Sequence, residues 1–114
     1  MAATHLDLFR SGNAGSAQLS RVRLNVPDPD IETFLVDTET WVRARSGGVS
    51  TYDAPQPSWR GPAWRLPAKT TIPAGIEIRS DAPGHWMWEA ARDMPLDEYV
   101  AALEQINVLF ARHP

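Results

Sequence analysis

The chain contains no cysteine, so it has neither a disulfide framework nor a thiolate metal site. That suits a reducing compartment. Lysine is almost missing as well: Lys69 is the one lysine among eleven basic residues, and the rest are arginines. Genome composition is enough to produce such a bias. An excess of positive charge is also absent, with 14 acidic residues and a net charge of −3. Nothing draws a phosphate backbone broadly to this surface, and nucleic acid is not an expected partner. No apolar run approaches the roughly 18 to 20 residues of a membrane helix. The first 20 residues lack the basic start and apolar core of a signal peptide. These absences imply a soluble chain, made in the cytoplasm, with no membrane partner.

What is present is a chain of short elements. Ten prolines and seven glycines are spread along 114 residues and punctuate them without marking a linker or a repeat. The length and the 43% hydrophobic content allow one core and one domain, 1–114. Alternation by two places Leu6, Leu8 and Arg10 on one face of an extended segment. "SGNAGSAQLSRVR" reads as a small-residue loop followed by a turn of helix or irregular chain. In "PDPDIETFLVD", Asp30 is a candidate N-cap, and Ile31, Phe34 and Leu35 have helical spacing, which predicts a short helix. Further strands are expected at Thr40–Arg43, Val49–Tyr52, Trp64–Leu66, Gly75–Arg79 and His85–Glu89, with a doubtful one at Thr70–Ile72. Leu96, Tyr99, Val100, Leu103, Ile106 and Phe110 follow the 3.6-residue period behind Pro95, so a C-terminal amphipathic helix should pack on the sheet. The expected class is α+β with a mostly antiparallel sheet.

Arg10 closes the first strand, Ser50 and Thr51 follow Gly47 and Gly48, and Glu89 ends the tryptophan strand. If those strands are neighbours, the three positions meet at one crevice. Spacing alone does not make them neighbours. No Gly-x-Ser-x-Gly elbow, phosphate-binding Walker loop or His-Glu-x-x-His helix is present, and no Ser, His and Asp arrangement can be singled out.

The stretches "LFRSGN", "SGGVSTYDAP", "WRLPA", "IPAGIEI" and "HWMWEAARDMPLDEY", in that order, resemble the small ADP-ribosyltransferase-like toxins of bacterial type VI secretion, the exported effector two group and its relatives. The resemblance runs from Leu8 to about Leu103 and rests on the order of the five pieces. It implies a split, mostly antiparallel sheet of the ADP-ribosyltransferase-toxin type, with NAD as co-substrate in the cleft. By the same resemblance Arg10, Ser50 and Glu89 are catalytic, and Arg10, Gly48, Ser50, Thr51 and Tyr52 bind the cofactor. No metal is implied. The implied partners are an unidentified macromolecular or small-molecule acceptor and a cognate immunity protein, with delivery into the cytoplasm of a target cell.

These residue types suit that chemistry. Breaking the nicotinamide–ribose bond develops positive charge on the ribose, which a carboxylate such as Glu89 stabilises in a site shielded from water. An arginine fork holds pyrophosphate through parallel charge-assisted bonds. Tyr52 or a nearby tryptophan supplies a stacking face. Met87 stands where arginine-modifying relatives carry a second acidic or amide residue, which leaves plain NAD hydrolysis or another acceptor open. Two other readings compete. One is a metal-independent ribonuclease using His85, Glu89 and Arg10; the other is a non-enzymatic module with a tryptophan-rich binding face. The bland readings are a salt-bridged Arg10, polar strand residues at Ser50 and Thr51, and an ion pair of Glu89 with Arg92 or Arg79.

Overall fold

A computed structural model describes residues 2–114. Strands dominate it, because short runs of branched and aromatic residues lie between turn-forming glycines and prolines. They are β1 (Leu8–Ser11), β2 (Thr33–Val36), β3 (Glu39–Val42), β4 (Gly48–Tyr52), β5 (Ala63–Leu66), β6 (Ile76–Ala82), β7 (His85–Ala90), β8 (Met94–Pro95) and β9 (Ala111–Arg112). One helix, α1 (Leu96–Asn107), precedes β9. The class is α+β, and every strand pairing is antiparallel.

Six strands form one sheet in the order β6-β7-β4-β1-β5-β9, and three form a second in the order β2-β3-β8. The strands carrying Arg10, Ser50 and Glu89 are therefore consecutive neighbours. β4 is fully laddered to β7, from Gly48↔Glu89 to Tyr52↔His85. Against β1 it keeps one register pair, Phe9↔Tyr52. The large sheet opens between β1 and β4, and the loop after β1 lies beside that opening.

Helix α1 buries Tyr99, Ala102, Leu103 and Ile106. The Tyr99 hydroxyl donates to the Trp88 carbonyl at 2.6 Å, which fastens the helix to β7. Asn107 accepts from the Leu19 N–H at 2.8 Å, and Leu19 itself is fully buried. The loop after β1 is thus tied to the end of α1 at Leu19. No helix among the described residues is long and apolar enough to cross a membrane.

The segment expected as a helix from Asp30 instead holds strand β2, which forms a hairpin turning at Asp37, φ 55°, with β3, the strand expected at Thr40–Arg43. Ile31, Phe34 and Leu35 fit a helical stripe, but six residues are too few to separate the two periods. The segment pairs Phe34 with Trp41 across the hairpin. Ile31 is buried while Leu35 is 70% exposed, a distribution no single helical stripe would produce. The doubtful strand at Thr70–Ile72 is a single bridge, Ala3↔Thr71.

Candidate active site

The opening between β1 and β4 forms a cleft of about 530 Å³. Arg10, Ser50 and Tyr52 line it together, with Arg21, Arg23 and Trp59 contributed by the flanking loops. The ring of Tyr52 meets that of Trp59 edge-on, with centroids 5.7 Å apart. Arg23 is paired with Asp30 at 3.1 Å, whereas Arg21 forms no salt bridge among the described residues. The cleft combines guanidinium groups with aromatic faces, a lining suited to an anionic ligand bearing a flat ring.

Arg10 has a second task that its position in the sequence did not reveal. Its Nε donates to the Ala17 carbonyl at 2.9 Å, one terminal nitrogen to the Ser50 carbonyl at 2.7 Å and the other to the Gln18 carbonyl at 3.2 Å. The guanidinium therefore staples the loop to β4 across the opening. It also holds Gln18 in the left-handed region at φ of 58°, which a side chain such as glutamine seldom occupies. Burial lowers the Arg10 pKa from its ordinary value, with Asp30 opposing that shift. Three of the five guanidinium N–H groups are used in these bonds.

Glu89 does not line the cleft. It is fully buried, and its two oxygens accept from Arg79 at 2.7 and 3.0 Å. The Gly47 N–H adds a third bond at 3.1 Å. The bond and charge of Glu89 raise the Arg79 pKa. The bland reading of Glu89 as partner of Arg79 matches the geometry, except that this pair is no surface pair at its acidic end.

Thr51 is also turned away from the cleft. Its hydroxyl donates to the Trp86 carbonyl at 3.1 Å and accepts from Trp88 Nε1 at 3.1 Å, in a fully buried position. Gly48, expected to bind the cofactor, and its neighbour Gly47 lie instead against the protein's own backbone. A Cβ on Gly48 would stand 2.0 Å from the Trp88 carbonyl oxygen. One on Gly47, at φ of 116°, would stand 2.5 Å from the Asp30 carbonyl oxygen. His85 and Glu89 occupy opposite ends of β7, roughly 13 Å apart at about 3.3 Å per residue. They do not converge with Arg10 as the ribonuclease reading needs.

A relay missed by sequence reasoning lies at the other end of β7. The Ser50 hydroxyl stands 2.8 Å from His85 Nε2, and His85 Nδ1 is hydrogen-bonded to Asp81. A Ser, His and Asp arrangement thus exists where none could be singled out from sequence. Its members come from β4, β7 and β6. A register shift between Ser80 and Ala82 sets Asp81 out of the ladder, and bulges of this kind re-aim side chains. Adjacent Asp81 and His85 on a hairpin would have been the signal, but the pairing with Ser50 needs the β4–β7 register.

A second cavity, of about 270 Å³, lies on the other side of the large sheet and is lined by Leu8, Ile72, Ile76, Ile78 and Trp86. Among the described residues, Trp86 Nε1 is buried without a hydrogen-bond partner. No group of three or more His, Cys, Asp or Glu side chains able to hold a metal is present among the described residues.

Compared with known proteins, the chain matches no protein-family model and no curated protein. The functional reading therefore rests on the site.

Proposed function

We propose that the cleft binds NAD and that the chain is an ADP-ribosyltransferase-like toxin domain that cleaves the nicotinamide–ribose bond. One observation carries this reading: Arg10, Ser50 and Tyr52, drawn from two motif-bearing strands, meet in one arginine-lined cleft where β1 and β4 keep a single register pair. In this reading Arg21 and Arg23 hold the pyrophosphate and Tyr52 with Trp59 packs against the nicotinamide. The Ser50 hydroxyl bonds the ribose. Arg10 keeps the cleft open by fixing the loop to β4.

Glu89 has a conditional place in this scheme. It shares a sheet face with Ser50, because Gly48↔Glu89 and Ser50↔Met87 are successive same-face pairs. Its carboxylate reaches the ribose once Arg79 and the Gly47 N–H release it. The reading thus includes a movement of the turn before β4. A cognate immunity protein that closes the cleft belongs to the same proposal, since a producer of such an activity needs protection from it.

Calorimetric titration of NAD into the whole chain, with nicotinamide release followed in parallel, tests the reading. Binding by the wild type, nicotinamide release, and at least a tenfold loss of affinity in Arg21→Ala/Arg23→Ala are expected. A natively melting wild type that neither binds NAD nor releases nicotinamide would overturn it.

A further inference from the structure

The arrangement of Ser50, His85 and Asp81 has a chemistry of its own that does not require NAD. We propose that Ser50 is a nucleophile activated by His85 and Asp81, and that the cleft hydrolyses esters whose acid or alcohol portion carries an anionic group.

The order of the groups is what the chemistry needs. Asp81 accepts a hydrogen bond from His85 Nδ1, and that bond lowers the Asp81 pKa, keeping the carboxylate ionised. With its proton on Nδ1, the imidazole presents the Nε2 lone pair to the Ser50 hydroxyl, 2.8 Å away. The ring is restrained by Tyr52, whose centroid lies 5.0 Å from it. The Pro83–Gly84 turn, with Gly84 at φ of 77°, closes a hairpin in which Ala82 faces His85, and the bulge beside it brings the Asp81 carboxylate to the His85 ring. Ser50 also lines the cleft, so its hydroxyl can meet a ligand there.

Charge stabilisation can come from Arg10, which lines the same cleft as Ser50. Arg10 lies 2.7 Å from the Ser50 carbonyl oxygen and retains two N–H groups after its three backbone bonds. Donors preorganised next to the nucleophile are what a developing oxyanion requires. Arg21, with no salt bridge among the described residues, supplies the pull on an anionic substrate.

The steps balance. Ser50 Oγ bonds to the ester carbonyl carbon as its proton passes to His85 Nε2. The carbonyl–alkoxide bond then breaks and the alkoxide leaves with that proton. Water attacks the acyl-serine, gives a proton to His85, and the serine recovers it as the acid departs. One ester and one water become one acid and one alcohol.

A fluorophosphonate probe tests this directly, because Ser50 Oγ would bond to phosphorus, expel fluoride and pass its proton to His85. The whole chain is incubated with the probe without NAD, and the adduct is mapped by mass spectrometry. A single adduct on Ser50, lost in Ser50→Ala and formed at least tenfold more slowly in His85→Gln, is expected. His85→Gln keeps a polar side chain on an accessible strand, and an unchanged thermal melt confirms that it folds. Labelling of Ser50 at the wild-type rate in His85→Gln would overturn the proposal, as would no labelling of a natively melting wild type. Since the probe needs no NAD, this result is independent of NAD cleavage.

Discussion

The two ends of β7 contrast sharply although only a few residues separate them. At the Glu89 end everything is closed: the carboxylate has three hydrogen bonds, Trp88 is fully buried, and the Tyr99 hydroxyl seals the Trp88 carbonyl. At the His85 end the polar groups are linked to one another, and Ser50 lines a cleft. The lesson is that a buried, fully satisfied carboxylate holds the sheet together, while the Ser50, His85 and Asp81 group stays partly exposed. Residues chosen by motif fall on both sides of that divide.

The largest expected effect comes from emptying the closed end. Trp88→Ala should cost about 3–5 kcal/mol, since it removes a large side chain from a packed site. Denaturant unfolding would measure it, and a loss under about 1 kcal/mol would mean that this end is loosely packed.

Arg79→Ala comes next, because it leaves the Glu89 carboxylate without its cation where water does not reach. Arg79 itself is half exposed, so a fall in melting temperature larger than that of other exposed arginines would identify Glu89 as the cause. Adding Glu89→Gln to the same chain should recover part of the loss. No recovery would break the picture of a charge stranded in the sheet.

Adjacent residues on β4 sharpen the contrast. Thr51→Val leaves Trp88 Nε1 and the Trp86 carbonyl without their bonds and should cost about 1–2 kcal/mol. Ser50→Ala should change stability by less than about 0.5 kcal/mol, as for other substitutions outside the core, while abolishing the chemistry of the cleft. Equal costs at the two positions would erase the distinction between them.

The smallest effect concerns acid. The hydrogen bond from His85 puts the Asp81 pKa below its ordinary 3.8. A lowered folded-state pKa contributes stability above the unfolded value and loses it as pH falls through the folded one. The stability difference between the wild type and Asp81→Asn should therefore shrink as pH drops below about 3.8. A difference that grows in that range would mean that the His85 contact does not stabilise the ionised form.

Much of the fold was legible from local pattern. Strand-forming runs located β1, β3, β4, β5, β6 and β7, and the 3.6-residue stripe located α1, whose buried Tyr99, Ala102, Leu103 and Ile106 keep that period. Strand β2 was not legible, although its partner β3 coincides with the strand expected at Thr40–Arg43. Its stripe is short, and partners across the hairpin, not local spacing, decide its conformation. Two-residue strands such as β8 and β9 are too short to carry any period.

The site divides along the same line. Sequence alone was sufficient for the α+β class and for the residues able to bear charge or react: Arg10, Ser50, Tyr52, His85 and Glu89. It could not say which of them share a space. Tertiary structure decided that Glu89 and Thr51 are interior, that Arg10 is a staple as well as a cleft residue, and that Ser50 meets His85 and Asp81. Those outcomes depend on strand order, register and one bulge, which are set by contacts between residues tens of positions apart and leave no mark on the spacing within any single element.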